Sequence, residues 1–172
     1  MTRSEYIAKF GKYAIESTKG KGLFPSVMMA QAILESSDSK GVPGASILAK
    51  QYNNHFGVKA DKSWKGKSFN VNTREVFNNK SVIIKDGFRV YDNPLQSFID
   101  RNDFLAKNSR YRAAGVFDAQ TPEAQAEALQ KAGYATDPNY ANTLKALIRT
   151  LKLKELDEQA KKNESSDTDS AS

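Results

Sequence analysis

Hydrophobic positions along the 172-residue chain fall mostly at helical spacing, and one stretch departs from that pattern by being apolar on every side. In residues 25–37, PSVMMAQAILESS, the run Val27, Met28, Met29 and Ala30 continues into Ala32, Ile33 and Leu34, with Gln31 as the one polar interruption. A helix without a polar face belongs in the middle of a fold. Pro25 suits its first position, where a missing N–H costs nothing, and the segment falls short of the about 20 apolar residues that a bilayer span needs. The pattern therefore predicts a central core helix ending at Glu35. Residues 4–18 predict an amphipathic helix capped by Ser4, with Ile7, Phe10 and Ala14 on one face and Tyr6 and Tyr13 beside it. A short helix is expected over 45–51, with Ile47 and Leu48 inward. Three cap-plus-proline pairs, Asn93-Pro94, Thr121-Pro122 and Asp137-Pro138, each start a further helix. The first carries Leu95, Phe98, Ile99, Asn102 and Leu105, the second Ala128 and Leu129, and the third Leu144, Leu147, Ile148 and Leu151.

Helical periodicity fades between Phe56 and Tyr91. Lys67 to Phe77 and the run beginning Lys80-Ser-Val-Ile-Ile read as two strands joined at Asn78-Asn79, residues that tolerate the positive φ of a hairpin turn. The expected fold class is mainly α with a small β-hairpin lobe, at about residues 60–91, inside one domain covering 1–154. Residues 155–172 are rich in Ser, Asp, Glu and Lys with almost nothing to bury, so a disordered acidic tail is expected there.

Charge adds a second layer. The net charge is +6, but residues 155–172 hold six acids against two lysines, so the rest of the chain carries +10. A basic surface favours polyanionic partners, whether nucleic acid, anionic lipid or an acidic cell-wall polymer; a solvated lysine face with no partner stays open as the alternative. Cysteine is absent, which excludes disulfides and thiolate metal sites. His55 is the only histidine, and no further ligands cluster near it, so it is expected to hydrogen-bond locally, with no metal or other cofactor. The N-terminal MTRSEYIAKF lacks the apolar core of a secretory signal.

The residue with the most chemical interest is Glu35. Partial burial and the negative end of its own helix both disfavour the ionised carboxylate, and a carboxyl that keeps its proton is what a general acid needs. The alternative is an ordinary solvated glutamate at a helix end.

Four runs occur in order across residues 4–152: Ala30-Gln-Ala-Ile-Leu-Glu35-Ser, Asn54-His-Phe-Gly-Val-Lys59, Phe88-Arg-Val-Tyr-Asp92 and Gly133-Tyr-Ala-Thr-Asp-Pro-Asn-Tyr-Ala141. Together they resemble the motif series of the peptidoglycan N-acetylglucosaminidases of glycoside hydrolase family 73. The resemblance implies a lysozyme-like two-lobed α+β fold and cleavage of the β-1,4 bond between N-acetylglucosamine and N-acetylmuramic acid in bacterial cell wall. It makes Glu35 the acid and Glu75, in Thr73-Arg74-Glu75, the candidate base, although a cross-strand charge partner for a lysine would look the same. Tyr134 is expected to line the cleft as a third catalytic candidate. Asn54, Phe56, Trp64, Tyr140 and Asp137 are the candidate substrate-binding residues; Phe56 and Trp64 would stack on sugar faces, and Asp137 doubles as a helix cap. Arg89 and Tyr91 are expected to tie the hairpin to the helical lobe. After Glu35 this chain reads Ser-Ser-Asp where many relatives have Ser-Gly-Trp. The implied partner is peptidoglycan glycan, met by a monomer in the cell wall or periplasm. A non-catalytic wall-binding module and a basic nucleic-acid-binding helical domain are the rival classes, the latter without any helix-turn-helix or RNP-like signature.

Overall fold

The computed structural model describes residues 1–171, the side chains of Thr73, Glu75 and 167–171 excepted. In chain order the elements are α1 (Arg3–Thr18), α2 (Pro25–Glu35), α3 (Ile47–Tyr52), β1 (Ser68–Phe77), β2 (Lys80–Arg89), α4 (Pro94–Lys107), α5 (Ser109–Ala113), α6 (Pro122–Lys131), α7 (Tyr140–Thr150) and α8 (Lys154–Ala171), with a 3-10 turn at Val116–Asp118. The apolar stretch forms α2 with Pro25 in its first turn, as expected. Helices α1, α6, α7 and α8 pack around it, and Val27, Met28, Met29, Ala30 and Ala32 are fully buried. Each large apolar side chain taken out of water there stabilises the fold by roughly 1.5–3 kcal/mol.

Helix α1 starts slightly earlier than expected. Thr2, not Ser4, is the cap: its Oγ1 accepts from the Glu5 N–H at 3.1 Å while the Glu5 carboxylate accepts from the Thr2 N–H at 3.3 Å, a reciprocal capping box. The hairpin pairs β1 antiparallel to β2 from Ser68 opposite Arg89 to Phe77 opposite Lys80. Asn78 and Asn79, with φ of 50° and 63°, make the turn, and an isolated bridge from Lys59 to Phe88 widens the sheet at its base.

That base is fastened to the helices. Tyr52 stacks on Phe69 with ring centres 4.2 Å apart. Arg89 donates to Asp100 on α4 at 2.8 Å and to the Lys59 carbonyl at 3.0 Å, and Tyr91 donates to the same Asp100 oxygen at 2.6 Å. The expected tie through Arg89 and Tyr91 is therefore present. Farther out, Val76, Phe77, Val82 and Ile83 are exposed, so the hairpin extends beyond its packed base.

The acidic tail differs from expectation. Residues 155–171 are helical, continuing α8, and the first turns of that helix join the core. Leu153 is buried and Leu156 packs against the hydrophobic cluster. A Cβ added to Gly11 of α1 would stand 3.2 Å from Leu156 Cδ2, so the close approach of the two helices uses the missing side chain. Asp157, 7% exposed, accepts from the Ser26 N–H at 2.9 Å and from the Ser26 hydroxyl at 2.6 Å. It therefore caps the N-terminus of α2 from 131 residues away.

Candidate active site

Glu35 is the last residue of α2, half-buried where the core opens into a cleft of about 530 Å³. Burial pushes its carboxyl above the ordinary carboxylate range, and a hydrogen-bonding contact from Tyr140 partly offsets this. The chain then turns on well-satisfied polar groups. The Ser36 hydroxyl accepts from the Gly44 N–H at 2.9 Å, and one Asp38 oxygen accepts from the N–H groups of Lys40 and Val42 at 2.9 and 3.0 Å. The Ser36-Ser37-Asp38 run thus builds an ordered loop directly after Glu35.

The cleft is walled on one side by Phe56, Gly57, Val58, Lys59 and Asp61, and on the other by Phe104 of α4, Asn108, the α5 residues Ser109, Arg110 and Tyr111, and Tyr134-Ala135. Tyr134 lines it. Its ring stacks on Tyr140 at 5.9 Å and is flanked by Phe104 and Tyr111. Burial raises its hydroxyl far above the usual tyrosine range, with the charge of Arg101 opposing that shift. A second groove, of about 550 Å³ between α1 and α8, has no aromatic wall, and its carboxylates, Glu16 and Glu164, are exposed.

Several of the candidate substrate-binding residues are engaged in structural contacts. Phe56 is 2% exposed and packs edge-on against Phe98, so no ring face is open to a sugar, although it contributes to the cleft wall. Asn54 is buried with every polar atom engaged: its amide nitrogen donates to the carbonyls of Val58 and Arg89, and its oxygen accepts from the Val58 N–H. It fastens the Asn54–Val58 loop to the end of β2. Trp64 lies outside the cleft wall; its ring nitrogen donates to the Lys67 carbonyl at 2.8 Å, and its ring sits against Arg89 and Tyr91. Asp137 is exposed and off the cleft, holding the turn before α7 by accepting from the Asn139 N–H at 2.8 Å. It is not the side-chain cap of α7, which begins at Tyr140 behind Asn139.

Tyr140 is 3% exposed and packed behind the cleft against Tyr134. Its hydroxyl accepts from Gln31 Nε2 at 2.9 Å. Glu75 lies in β1 opposite Val82, near the far end of the hairpin, and its side chain is outside the described set.

The cleft also holds charged residues that were not among the candidate site residues. Lys59 and Arg110 bring positive charge to its walls, and Asp61 brings a second carboxylate. Hydrogen bonds from Ser63 and the charge of Arg89 hold Asp61 below the usual carboxylate range. Behind the cleft, Arg101 is fully buried and donates twice to Gln31 Oε1, at 3.0 and 2.7 Å. Both members had a sequence signal: Gln31 is the lone polar residue of an apolar helix, and Arg101 falls between Phe98 and Leu105 on the buried stripe of α4. His55 is buried in an aromatic cluster with its Nδ1 2.7 Å from the Tyr6 hydroxyl, as expected for a local hydrogen-bonding role. Among the described residues no group of three or more His, Cys, Asp or Glu is placed to hold a metal ion.

The family model for mannosyl-glycoprotein endo-beta-N-acetylglucosaminidase matches residues 11–153. Peptidoglycan hydrolase FlgJ of Salmonella typhimurium is 39% identical over 151 residues, covering 86% of this chain and 46% of that protein, so the chain spans less than half of that relative's length. Among solved structures, a C-terminally truncated glycoside hydrolase domain of Salmonella typhimurium FlgJ superposes with a TM-score of 0.64 at 37% identity, over 87% of this chain and 97% of that one. The catalytic domain of the autolysin Auto from Listeria monocytogenes gives 0.74 at 32% identity, over 90% and 86%. The mostly helical, lysozyme-like fold with its small sheet agrees with the expected fold class. The half-buried carboxyl at the end of the core helix is thus set in a recognised scaffold, and the chain belongs to the mannosyl-glycoprotein endo-beta-N-acetylglucosaminidase family.

Proposed function

We propose that this chain hydrolyses the β-1,4 bond between N-acetylglucosamine and N-acetylmuramic acid within peptidoglycan strands, with Glu35 as general acid. The observation that carries this reading is the position of Glu35: a carboxyl raised by burial, at the mouth of a cleft lined by Tyr134, in a chain of the glucosaminidase family. A carboxylic acid that is protonated near neutral pH transfers its proton to the glycosidic oxygen as the C1–O bond breaks. Lys59 and Arg110 suit an acidic polymer, because the wall carries carboxylates on its peptide stems.

For the attacking water we assign Glu75 as base. Asp61 is the other carboxylate in the cleft wall, but its oxygens are committed to Ser63 and Arg89. Closure of the hairpin over the glycan would bring Glu75 to the opposite face of the sugar, where it takes a proton as the water oxygen bonds to C1. That route inverts the anomeric centre. The site of action follows from the substrate, outside the cytoplasm in wall or periplasm; among the described residues no helix is long and apolar enough to cross a membrane.

The test is the product. Digested wall should carry N-acetylglucosamine at its new reducing ends, and proton NMR of the first turnovers should show the α anomer. N-acetylmuramic acid at those ends would refute the bond assignment. An initial β anomer would remove Glu75 as base and leave attack by the substrate's own acetamide. Binding to wall without release of any reducing end would select the non-catalytic alternative.

A further inference from the structure

A row of buried polar groups runs behind the cleft from α4 to Glu35. Arg101 donates through Nε and Nη2 to Gln31 Oε1, and through Nη1 to Asn102 Oδ1 at 2.9 Å. Gln31 donates from Nε2 to the Tyr140 hydroxyl oxygen, and Glu35 stands one helical turn beyond Gln31 on the same face of α2. Gln31 and Arg101 are fully buried and Tyr140 nearly so.

The chemistry of these groups leaves one polarity. A guanidinium has donors and no acceptor, so the amide of Gln31 must turn its oxygen to Arg101 and its NH2 to Tyr140. The Tyr140 oxygen then accepts, which leaves its single proton to be donated onward, and the carboxyl one turn along α2 from Gln31 is that of Glu35. We propose that Arg101 and Gln31 are positioning residues that fix the direction of the Tyr140 hydroxyl, so that its one proton points at the Glu35 carboxyl. The proposal rests on Glu35 being the general acid.

Burial and the Tyr140 contact act on Glu35 in opposite senses: desolvation favours the protonated carboxyl, and a donated hydrogen bond favours the carboxylate. The donor keeps the acid from holding its proton too firmly to release it. Arg101 has no carboxylate among its hydrogen-bond partners, and burial lowers its pKa to about 10. It is still a cation at neutral pH, which makes the polarity of the row permanent. The other titratable or charged groups around the Glu35 end of the cleft are Tyr134, Tyr111, Lys59, Asp61 and Arg110. None of them is a hydrogen-bond partner of Gln31, whose side chain is bonded to Tyr140 and Arg101.

The decisive variant is Gln31→Glu, which keeps the shape of the side chain and its pairing with Arg101 but turns the second polar atom from a donor into an acceptor. The Tyr140 proton should then swing away from Glu35 and toward the introduced carboxylate. A general acid works only while protonated, so wall hydrolysis declines as pH rises through the pKa of Glu35. Loss of the donated bond moves that alkaline limb to higher pH, by about one unit for a tenfold change in proton affinity. Tyr140→Phe, which adds no charge, should move it in the same direction.

A purely electrostatic effect of the added carboxylate is separated by the double variant: in the Tyr140→Phe background, Gln31→Glu should add little further shift. Carbon-13 NMR titration of the Glu35 carboxyl in the same four proteins reads the protonation directly, even in a variant with low turnover. An unmoved Glu35 titration in both single variants would overturn the proposal, as would a Gln31→Glu shift that persists undiminished without the Tyr140 hydroxyl. Wild type that titrates as expected yet releases no sugar would instead remove the general-acid reading on which the proposal stands.

Discussion

Asp157 makes a sharp prediction because it joins a segment expected to be disordered to the N-terminus of the helix that carries Glu35. Replacing it with alanine leaves the N–H and hydroxyl of Ser26 without their acceptor, in a place closed to water: Ser26 is fully buried and Asp157 7% exposed. A buried donor left unsatisfied costs about 1–3 kcal/mol, and losing a helix cap costs about 0.5–2 kcal/mol. These describe overlapping losses, so the expected destabilisation is about 2–3 kcal/mol. At about 2–4 °C per kcal/mol for a chain of this size, Tm should drop by roughly 4–12 °C in a thermal melt followed by circular dichroism. Asp157→Asn keeps an acceptor for the N–H and should recover most of the loss.

The pH dependence of that difference gives a second check. Burial, opposed by the two bonds from Ser26, raises the Asp157 carboxyl above its ordinary value. A raised folded-state pKa contributes stability that is present below the unfolded pKa, near about 3.9, and is lost as pH climbs through the folded value. The gap between wild type and Asp157→Ala should therefore be wider at about pH 4 than at about pH 8. A loss below about 0.5 kcal/mol, or a gap that widens with rising pH, would refute the role given to α8.

Two further results should follow. Burial lowers His55 to a pKa of about 4, with the charge of Lys9 acting in the same sense, so its contribution to stability is full above the ordinary value of 6.5 and is lost as pH falls from there toward 4; proton NMR should find the ring neutral at about pH 6, and a charged ring there would contradict its placement beside Tyr6 and Phe10. Phe56→Ala should destabilise by about 3–5 kcal/mol in urea unfolding, whereas Phe56→Leu should preserve KM for wall fragments within about twofold, since a buried ring offers no stacking face; a large rise in KM with stability intact would return Phe56 to the substrate.

What could be read in the sequence, and what could not, divides by the range of the interactions. Helix α2 was legible because all-round hydrophobicity and Pro25 are local signals, and the hairpin because Asn78-Asn79 sits between strand-like runs. The first turns of α8 were not legible: their composition is polar, and their anchor is one carboxylate meeting Ser26 at a separation of 131 residues. Motif resemblance found the right loops but did not sort their side chains by role. Asn54 looked like a sugar ligand because it begins a motif, yet each of its polar atoms is taken by the backbone of its own loop and of β2. Tyr140, a substrate-binding candidate by its motif, is buried and bonded to Gln31, an arrangement that depends on which side of α7 meets α2. The partnership of Gln31 and Arg101 shows the converse, since a polar residue on an otherwise apolar face signals a buried partner without identifying it.

The central claim is that the Glu35 carboxyl supplies the proton that breaks the sugar bridge. The measurement that meets it most directly is release of reducing ends from purified peptidoglycan by wild type and by Glu35→Gln, at matched concentration and with matched thermal melts. Removing a general acid costs about 10²–10⁴-fold, so the glutamine variant should fall by at least about a hundredfold while still binding wall. Equal release by the two proteins would contradict the account.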